Sequence, residues 1–402
     1  MPGTEKLSIA MLSIHSSPIG KLGTNDTGGM SVFIHETAKQ LAARGHSIDI
    51  FTRRADADTP EILHLHHGVR LIHLDGGQKG YMSKLATYPH LESIFQELDK
   101  FKKREQLDYH LIHSHYWLSG IVGLYAQNQW GVPNVITFHT LGAVKNNTEG
   151  VEREPQIRVD EERKLTNSCR RILAGTKQEK KQLIQYYGAS PEAVGVVPCG
   201  VDLDLFKPGK KKVSKKILGL NQNEPYILYV GRFSPSKGLD RLIEAIGLLR
   251  KAVRYKCLVI GGDGQDSPEV NELRSLSSML DVQEQVSFIG RLDQKLLPTY
   301  YNAASILVMP SRYESFGMVA LESMACGTPV VATKVGALEQ IIGHGGTGYL
   351  VLNNSPHAIA EGIETFMPRA KTLNAEVLRS SVLKFQWVNI AEILVREYEN
   401  AR

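Results

Sequence analysis

Residues 202–231 read "DLDLFKPGKKKVSKKILGLNQNEPYILYVG". The first part is rich in lysine and carries Pro208, Gly209, Gly219 and Pro225. It reads as a linker, or as an exposed approach to a second unit, because proline and glycine interrupt regular structure. It then turns abruptly into "YILYVG" at 226–231, a short apolar run of the kind that forms a buried strand. The fold is decided by what lies on either side of it.

On the upstream side, short apolar runs alternate with helical patterns. "LSIAML" (7–12), "SIDIFT" (47–52), "VRLIHL" (69–74), "YHLIHSH" (109–115), "PNVITFHT" (133–140), "RILAG" (171–175) and "VGVVPCG" (194–200) read as strands, and "VFIHETAKQLAARG" (32–45) as a helix stopped by Gly45. The same rhythm restarts downstream. "YILYVG", "KCLVIGG" (256–262), "VSFIG" (286–290), "SILVMP" (305–310), "PVVAT" (329–333) and "GYLV" (348–351) are strands, with helices over about 238–251 and about 317–326. Strands alternating with helices predict parallel sheets covered by helices. The expected fold is therefore α/β, in two domains of similar size with a ligand cleft between them at the carboxyl ends of the strands. The final "FQWVNIAEILVREYENAR" reads as an amphipathic helix packing back on the first domain.

Length agrees, because a single core rarely grows to 402 residues. The composition, 42% apolar and 22% charged, is that of a soluble globular chain. A net charge of +5 spread along the sequence suits an anionic small-molecule ligand and does not suit a nucleic-acid partner. The cysteines, Cys169, Cys199, Cys257 and Cys326, are far apart and lack metal or disulfide spacing, which points to a reducing, cytoplasmic setting. No signal peptide or membrane span is evident, and peripheral membrane contact stays open.

Four loops could carry chemistry. "PIGKLGTNDTGGMS" (18–31) opens a helix after the first strand, so its glycine pair, Gly28 and Gly29, could bring backbone N–H groups to an anion. "GRFSPSKG" (231–238) carries Arg232 and Lys237, which could converge on one diphosphate. "GGDG" (261–264) lacks the dinucleotide fingerprint. "RYESFGMVALESMACGTPVVAT" (312–333) holds Glu314 and Glu322. Periodicity starts the helix near Phe316 or Gly317, with Glu314 just before it and Glu322 about two turns in. That separation excludes a shared-proton pair and suits two carboxylates gripping hydroxyls of one extended ligand. The plainer alternative is a first-turn acid and a helix charge. "HLHH" (64–67) and "HLIHSHYW" (110–117) are rich in histidine but lack the carboxylates of a zinc-enzyme site. His139 closes a strand and would face the cleft.

Together, "ESFGMVALESMACGTPVVAT", "GRFSPSKG", "GGDG" and "TGGMSVFIHETAKQLAARGH" resemble the retaining, nucleotide-sugar-dependent glycosyltransferases of family 4, with their Glu-x7-Glu motif, over nearly the whole chain. The resemblance implies a GT-B fold: an acceptor-binding Rossmann-like domain over 1–205, a nucleotide-sugar-binding one over 206–382, and a C-terminal helix over 383–402. It implies a UDP-sugar donor, a hexosyl group (glucose or N-acetylglucosamine), no required cofactor and no metal. Within the family, "PIGKLGTNDTGGMSVFI", "LIHSHYWLSG", "HTLGAVKN" and "VVPCGVDLDLFKPG" resemble D-inositol-3-phosphate glycosyltransferases and, less closely, sucrose-phosphate synthases. Those enzymes act on a phosphorylated polyol or sugar. By resemblance Lys84, Tyr116, Thr140 and Arg158 hold the acceptor phosphate. Ser31 stands where the inositol-phosphate enzymes carry an acceptor-contacting Asn.

On the donor side the resemblance gives Arg232 and Lys237 the diphosphate, with Gly28 and Gly29 approaching it. Glu322 takes the ribose, and Glu314 with the N–H groups of Phe316 and Gly317 takes the sugar. Gly262 and Met318 line the donor, and His139 meets the sugar at the reacting centre. Expected partners are the donor and a small acceptor, with a homodimer left open. Two alternatives remain: an epimerase of the same architecture and a non-catalytic nucleotide-sugar-binding protein.

Overall fold

The computed structural model of the chain describes residues 5–20, 27–249, 255–262, 264 and 267–402. Part of the 18–31 loop (21–26), the end of the 238–251 helix (250–251) and Asp263 of "GGDG" lie outside the described residues.

The first sheet is built from β1 (Ser8–Leu12), β2 (Ser47–Arg53), β3 (Ile62–His66), β4 (Val69–Leu74), β5 (Leu111–His115), β6 (Asn134–Thr137), β7 (Arg171–Ala174) and β8 (Val194–Val196). Its order is β3-β4-β2-β1-β5-β6-β7-β8. The second sheet contains β9 (Tyr226–Val230), β10 (Lys256–Ile260), β11 (Val286–Gly290), β12 (Ile306–Met309), β13 (Val330–Thr333) and β14 (Gly348–Val351), in the order β11-β10-β9-β12-β13-β14. Strand pairs are parallel, apart from β3 against β4. Because helices cover both faces, the central strands are buried on both sides and carry unbroken apolar runs, as β1 and β12 do.

β3 was not expected. Its sequence, "ILHLH", mixes histidines with aliphatics, and at the sheet edge its side chains are only partly buried. His66 there meets His35 from the Gly29–Ala42 helix, Nε2 to Nε2 at 3.1 Å.

In each sheet the strand order reverses once. The chain adds strands to one side of β1 and then moves to β5 on its other side; likewise it leaves β9 for β10 and β11, then returns to β12. Loops leaving such neighbouring strands diverge and open a crevice. The chain passes between the sheets twice, side by side. Val201 N donates to Phe385 O at 2.8 Å, and Arg379 donates to the carbonyls of Leu203 and Phe206 at 2.8 and 2.7 Å. Beyond this crossing the Trp387–Glu399 helix lays Trp387, Ile390, Leu394 and Tyr398 on Phe33 and Ile34 of the first sheet's opening helix.

Candidate active site

The residues singled out from sequence fall in the loops and helices that follow β1, β4, β5 and β6, and β9, β10 and β12. The two walls of the crevice differ in kind.

On the second sheet, Lys237 follows β9 and Glu314 follows β12, and the two form an ion pair with Nζ 2.6 Å from Oε2. Ser311 Oγ approaches the same carboxylate oxygen at 3.5 Å. The turn holding Lys237 ends at Gly238 with φ +67°; a β-carbon there would stand 2.2 Å from Pro310 O. Only glycine lets the two loops close together, and this closeness makes the ion pair. Gly262, with φ +82°, lies against Phe233, whose ring a β-carbon would meet at 2.6 Å. The "GGDG" turn is thus packed onto the Arg232 loop. Arg232 is exposed and its backbone O accepts from Tyr229 OH at 2.8 Å.

The helix after β12 runs Met318–Ala325. It starts later than the periodicity suggests, because Gly317 takes a left-handed conformation at its N-cap, so Glu322 lies one turn in, not two. The side chain of Phe316 is buried against Phe385, leaving its backbone N–H as the group available to a ligand. Glu322 is 5% exposed and accepts from Tyr301 OH at 2.7 Å and Gln294 Nε2 at 3.2 Å. Burial raises its pKa to about 7 despite these bonds.

The Met318–Ala325 helix has no side-chain cap, and neither has the Gly29–Ala42 helix, whose N-cap is Gly28. The two N-termini meet: a β-carbon on Gly29 would stand 3.5 Å from Met318 Sδ. Each presents uncompensated N–H groups and the positive end of a helix dipole. Two such ends so close together could hold an anion between the two sheets.

The first sheet's wall is buried and strained. Tyr116, after β5, has φ +76°, and His139, after β6, has φ +62°. Such values cost a non-glycine residue about 1–3 kcal/mol and cluster at functional sites. His139 Nε2 meets His115 Nδ1 at 3.0 Å, while His113 bridges Tyr398 OH at 2.7 Å and Thr137 Oγ1 at 2.9 Å. Burial lowers His139 and His113 to about 3, so both are neutral at physiological pH.

The Tyr116 ring is the floor beneath two cations, with the Arg158 guanidinium carbon 4.7 Å and Lys84 Nζ 5.9 Å from its centroid. His15 packs on the same ring at 4.4 Å; burial, then Lys84 and Arg158, hold it neutral. Arg158 is 1% exposed and donates to Thr140 O and Oγ1 at 2.8 and 2.9 Å and to Glu162 Oε1 at 2.7 Å. Lys84, Tyr116, Thr140 and Arg158 are therefore brought together. Ser31 is fully buried, with its Oγ 3.2 Å from Ser16 Oγ.

Tyr313 joins the walls, its OH accepting from Leu141 N at 3.4 Å. Sequence reading missed Tyr313, His15 and Glu162, as well as Glu154, which pairs with Arg158 NH1 at 2.9 Å, and Glu179, which accepts from Gly175 N at 2.8 Å. His15, three residues past β1, had a usable signal in its position at a strand end. Among the described residues no group of three His, Cys, Asp or Glu could hold a metal ion, and no helix is long and apolar enough to cross a membrane.

Two family models match the chain: "Glycosyltransferase Family 4" over residues 27–205 and "Glycosyl transferases group 1" over 210–375. A D-inositol 3-phosphate glycosyltransferase of Geodermatophilus obscurus is 36% identical over 404 residues, covering 98% of this chain and 89% of that protein. The protein of the same name from Thermobispora bispora is 37% identical over 405 residues, covering 98% and 94%. Among solved structures, a sucrose-phosphate synthase of Thermosynechococcus elongatus superposes with a TM-score of 0.89 at 30% identity, covering 98% of each chain.

Proposed function

The chain belongs to the glycosyltransferases of group 1 and family 4, with their GT-B architecture, and on that premise we propose that it moves a hexosyl group from a UDP-sugar to a hydroxyl of a phosphorylated polyol or sugar, with retention. The observation that carries the donor side is the meeting of two uncapped helix N-termini beside Lys237. A sugar diphosphate has the charge and length to lie there, with Arg232 and Lys237 stabilising the leaving diphosphate. Lys237 is already held at the strand ends by Glu314. Once the donor arrives, the ammonium serves the phosphate, the carboxylate accepts from sugar hydroxyls, and the N–H groups of Phe316 and Gly317 donate to sugar oxygens. Glu322 takes the ribose hydroxyls. Gly262 and Met318 line the donor.

No side chain is assigned as a covalent nucleophile. The C1–O bond to phosphate breaks while the acceptor oxygen bonds C1 on the same face, and the acceptor proton passes to the departing phosphate oxygen. His139 is neutral and acts by hydrogen bonding near this centre. The acceptor sits on the first sheet over Tyr116, its phosphate directed to Lys84, Thr140 and Arg158. The names of the relatives, an inositol phosphate glycosyltransferase and a sucrose-phosphate synthase, support an acceptor of that chemistry.

The test is a screen of UDP-glucose and UDP-N-acetylglucosamine against inositol phosphates and hexose phosphates, reading UDP release, product mass and anomeric configuration. A single phosphorylated acceptor glycosylated with the donor's anomeric configuration is expected. Interconversion of UDP-sugars without an acceptor would establish an epimerase instead.

A further inference from the structure

We infer that Glu154 is a built-in anion occupying the place of the acceptor's phosphate, and that acceptors bind by exchanging with it. The argument begins with the five N–H donors of a guanidinium. In Arg158 the Nε–H goes to Glu162 and both NH2 hydrogens to Thr140. The remaining edge, NH1, faces Glu154 Oε1 at 2.9 Å. The same oxygen also receives Lys145 Nζ.

The two carboxylates on Arg158 are held very differently. Glu162 has no exposed side-chain surface and is fixed from other directions by Gly142 N at 2.9 Å and by Tyr187 OH. Glu154 is 17% exposed and lies just before the Gln156–Ser168 helix, in a segment whose Glu149, Gly150, Glu152 and Arg153 face solvent. Its backbone is pinned by one side chain: Asn146 Oδ1 accepts from Glu154 N at 2.6 Å and Asn146 Nδ2 donates to Glu154 O at 3.0 Å. Burial alone would raise its pKa, but Arg158 and Lys145 outweigh this and hold it below the ordinary range, so it is ionised at neutral pH.

A dianionic phosphate can take over the NH1 edge and Lys145 from a singly charged carboxylate, because it carries more charge and more acceptor oxygens. A neutral hydroxyl cannot. Glu154 is thus a specificity-determining residue that admits phosphorylated acceptors and excludes unphosphorylated ones. The inference rests on the reading above in placing the acceptor at Arg158.

The test is Glu154→Gln in the full chain, with two readouts. Calorimetric titration with inorganic phosphate needs no turnover; the dissociation constant is expected to fall roughly three- to tenfold, the scale of removing one charge-assisted competitor. For a phosphorylated acceptor KM should fall similarly, and discrimination against its dephosphorylated form should narrow. Asn146→Ala, which frees Glu154 without removing charge, should shift both in the same direction by less, and it serves if the first variant does not fold. Unchanged or weakened phosphate binding in the folded variant overturns the inference, even if the wild type uses a phosphorylated acceptor. Tightened phosphate binding in a protein that glycosylates no phosphorylated acceptor leaves only the exchange of anions at Arg158 standing; it overturns both the specificity role of Glu154 and the acceptor reading it rests on.

Discussion

The two walls of the crevice solve opposite problems. The second sheet's wall is polar, turns on glycines, and leaves its charged pair partly open to solvent: Lys237 is 21% exposed and Glu314 11%. The first sheet's wall is a buried network in which a fully enclosed arginine, neutral histidines and two strained backbones hold one another. A pair that water still reaches can hand its charges to a ligand without leaving either one buried and unpaired. The enclosed part of that network, Arg158 with Glu162 and Thr140, cannot be rearranged without leaving polar groups unsatisfied, so a ligand can displace only its partly exposed member, Glu154.

Substitutions can break this contrast. The largest effect is expected for Lys237→Ala. Turnover should fall by about 10²–10³-fold, the scale of removing one preorganised charge from a developing anion. Circular dichroism should show an intact fold; a folded variant with wild-type kcat would remove Lys237 from the diphosphate. His139→Ala should cost roughly tenfold or more in kcat, as the loss of one buried hydrogen bond does. Because burial keeps His139 near 3, no inflection from it should appear in the wild-type pH–rate profile between 6 and 8. Gly238→Ala forces a side chain into a left-handed turn against Pro310 O, and about 1–3 kcal/mol of stability should be lost in denaturant titration.

The smallest effect concerns two buried carboxyls, one on each wall. Glu179 accepts from Gly175 N at 2.8 Å, while its other oxygen has no partner among the described residues. Burial raises both Glu179 and Glu322 from 4.5 to about 7. Since the folded state holds these protons more tightly, the stabilisation is full below about pH 4.5 and is lost as pH rises through about 7. Glu179→Gln should flatten the fall in Tm between pH 5 and 8 by roughly 2–4 °C. An unaltered slope would mean that Glu179 is ionised in the folded protein.

The same contrast governs what could be read in advance. Strands β1, β5, β9 and β12 are short apolar runs with abrupt ends, and burial on both faces makes such runs unmistakable. β3 escaped because an exposed edge strand need not be apolar. On the second wall the candidate residues lie in short stretches of sequence, Lys237 and Glu314 in loops and Glu322 in the helix that follows, so their types drew notice, although nothing in their spacing shows that Lys237 and Glu314 pair. On the first wall the function of each residue depends on distant partners: Glu162 on Tyr187, Tyr313 on Leu141, His113 on Tyr398. No local pattern encodes those pairs. Glu179 was an avoidable miss, since "TKQE" at 176–179 spells a capping box, and Thr176 Oγ1 does accept from Glu179 N at 2.8 Å.

The double crossing at Val201 and Phe385 joins the two halves at one place, where two backbones lie side by side. Val201, Leu203, Phe206 and Phe385 all lie in the second sheet's core, so the Val201–Phe385 hydrogen bond and both carbonyl bonds of Arg379 fasten the two passing segments to that half. A change in the angle between the sheets would therefore have to be taken up on the first sheet's side of this seam, just before Val201 and just after Phe385.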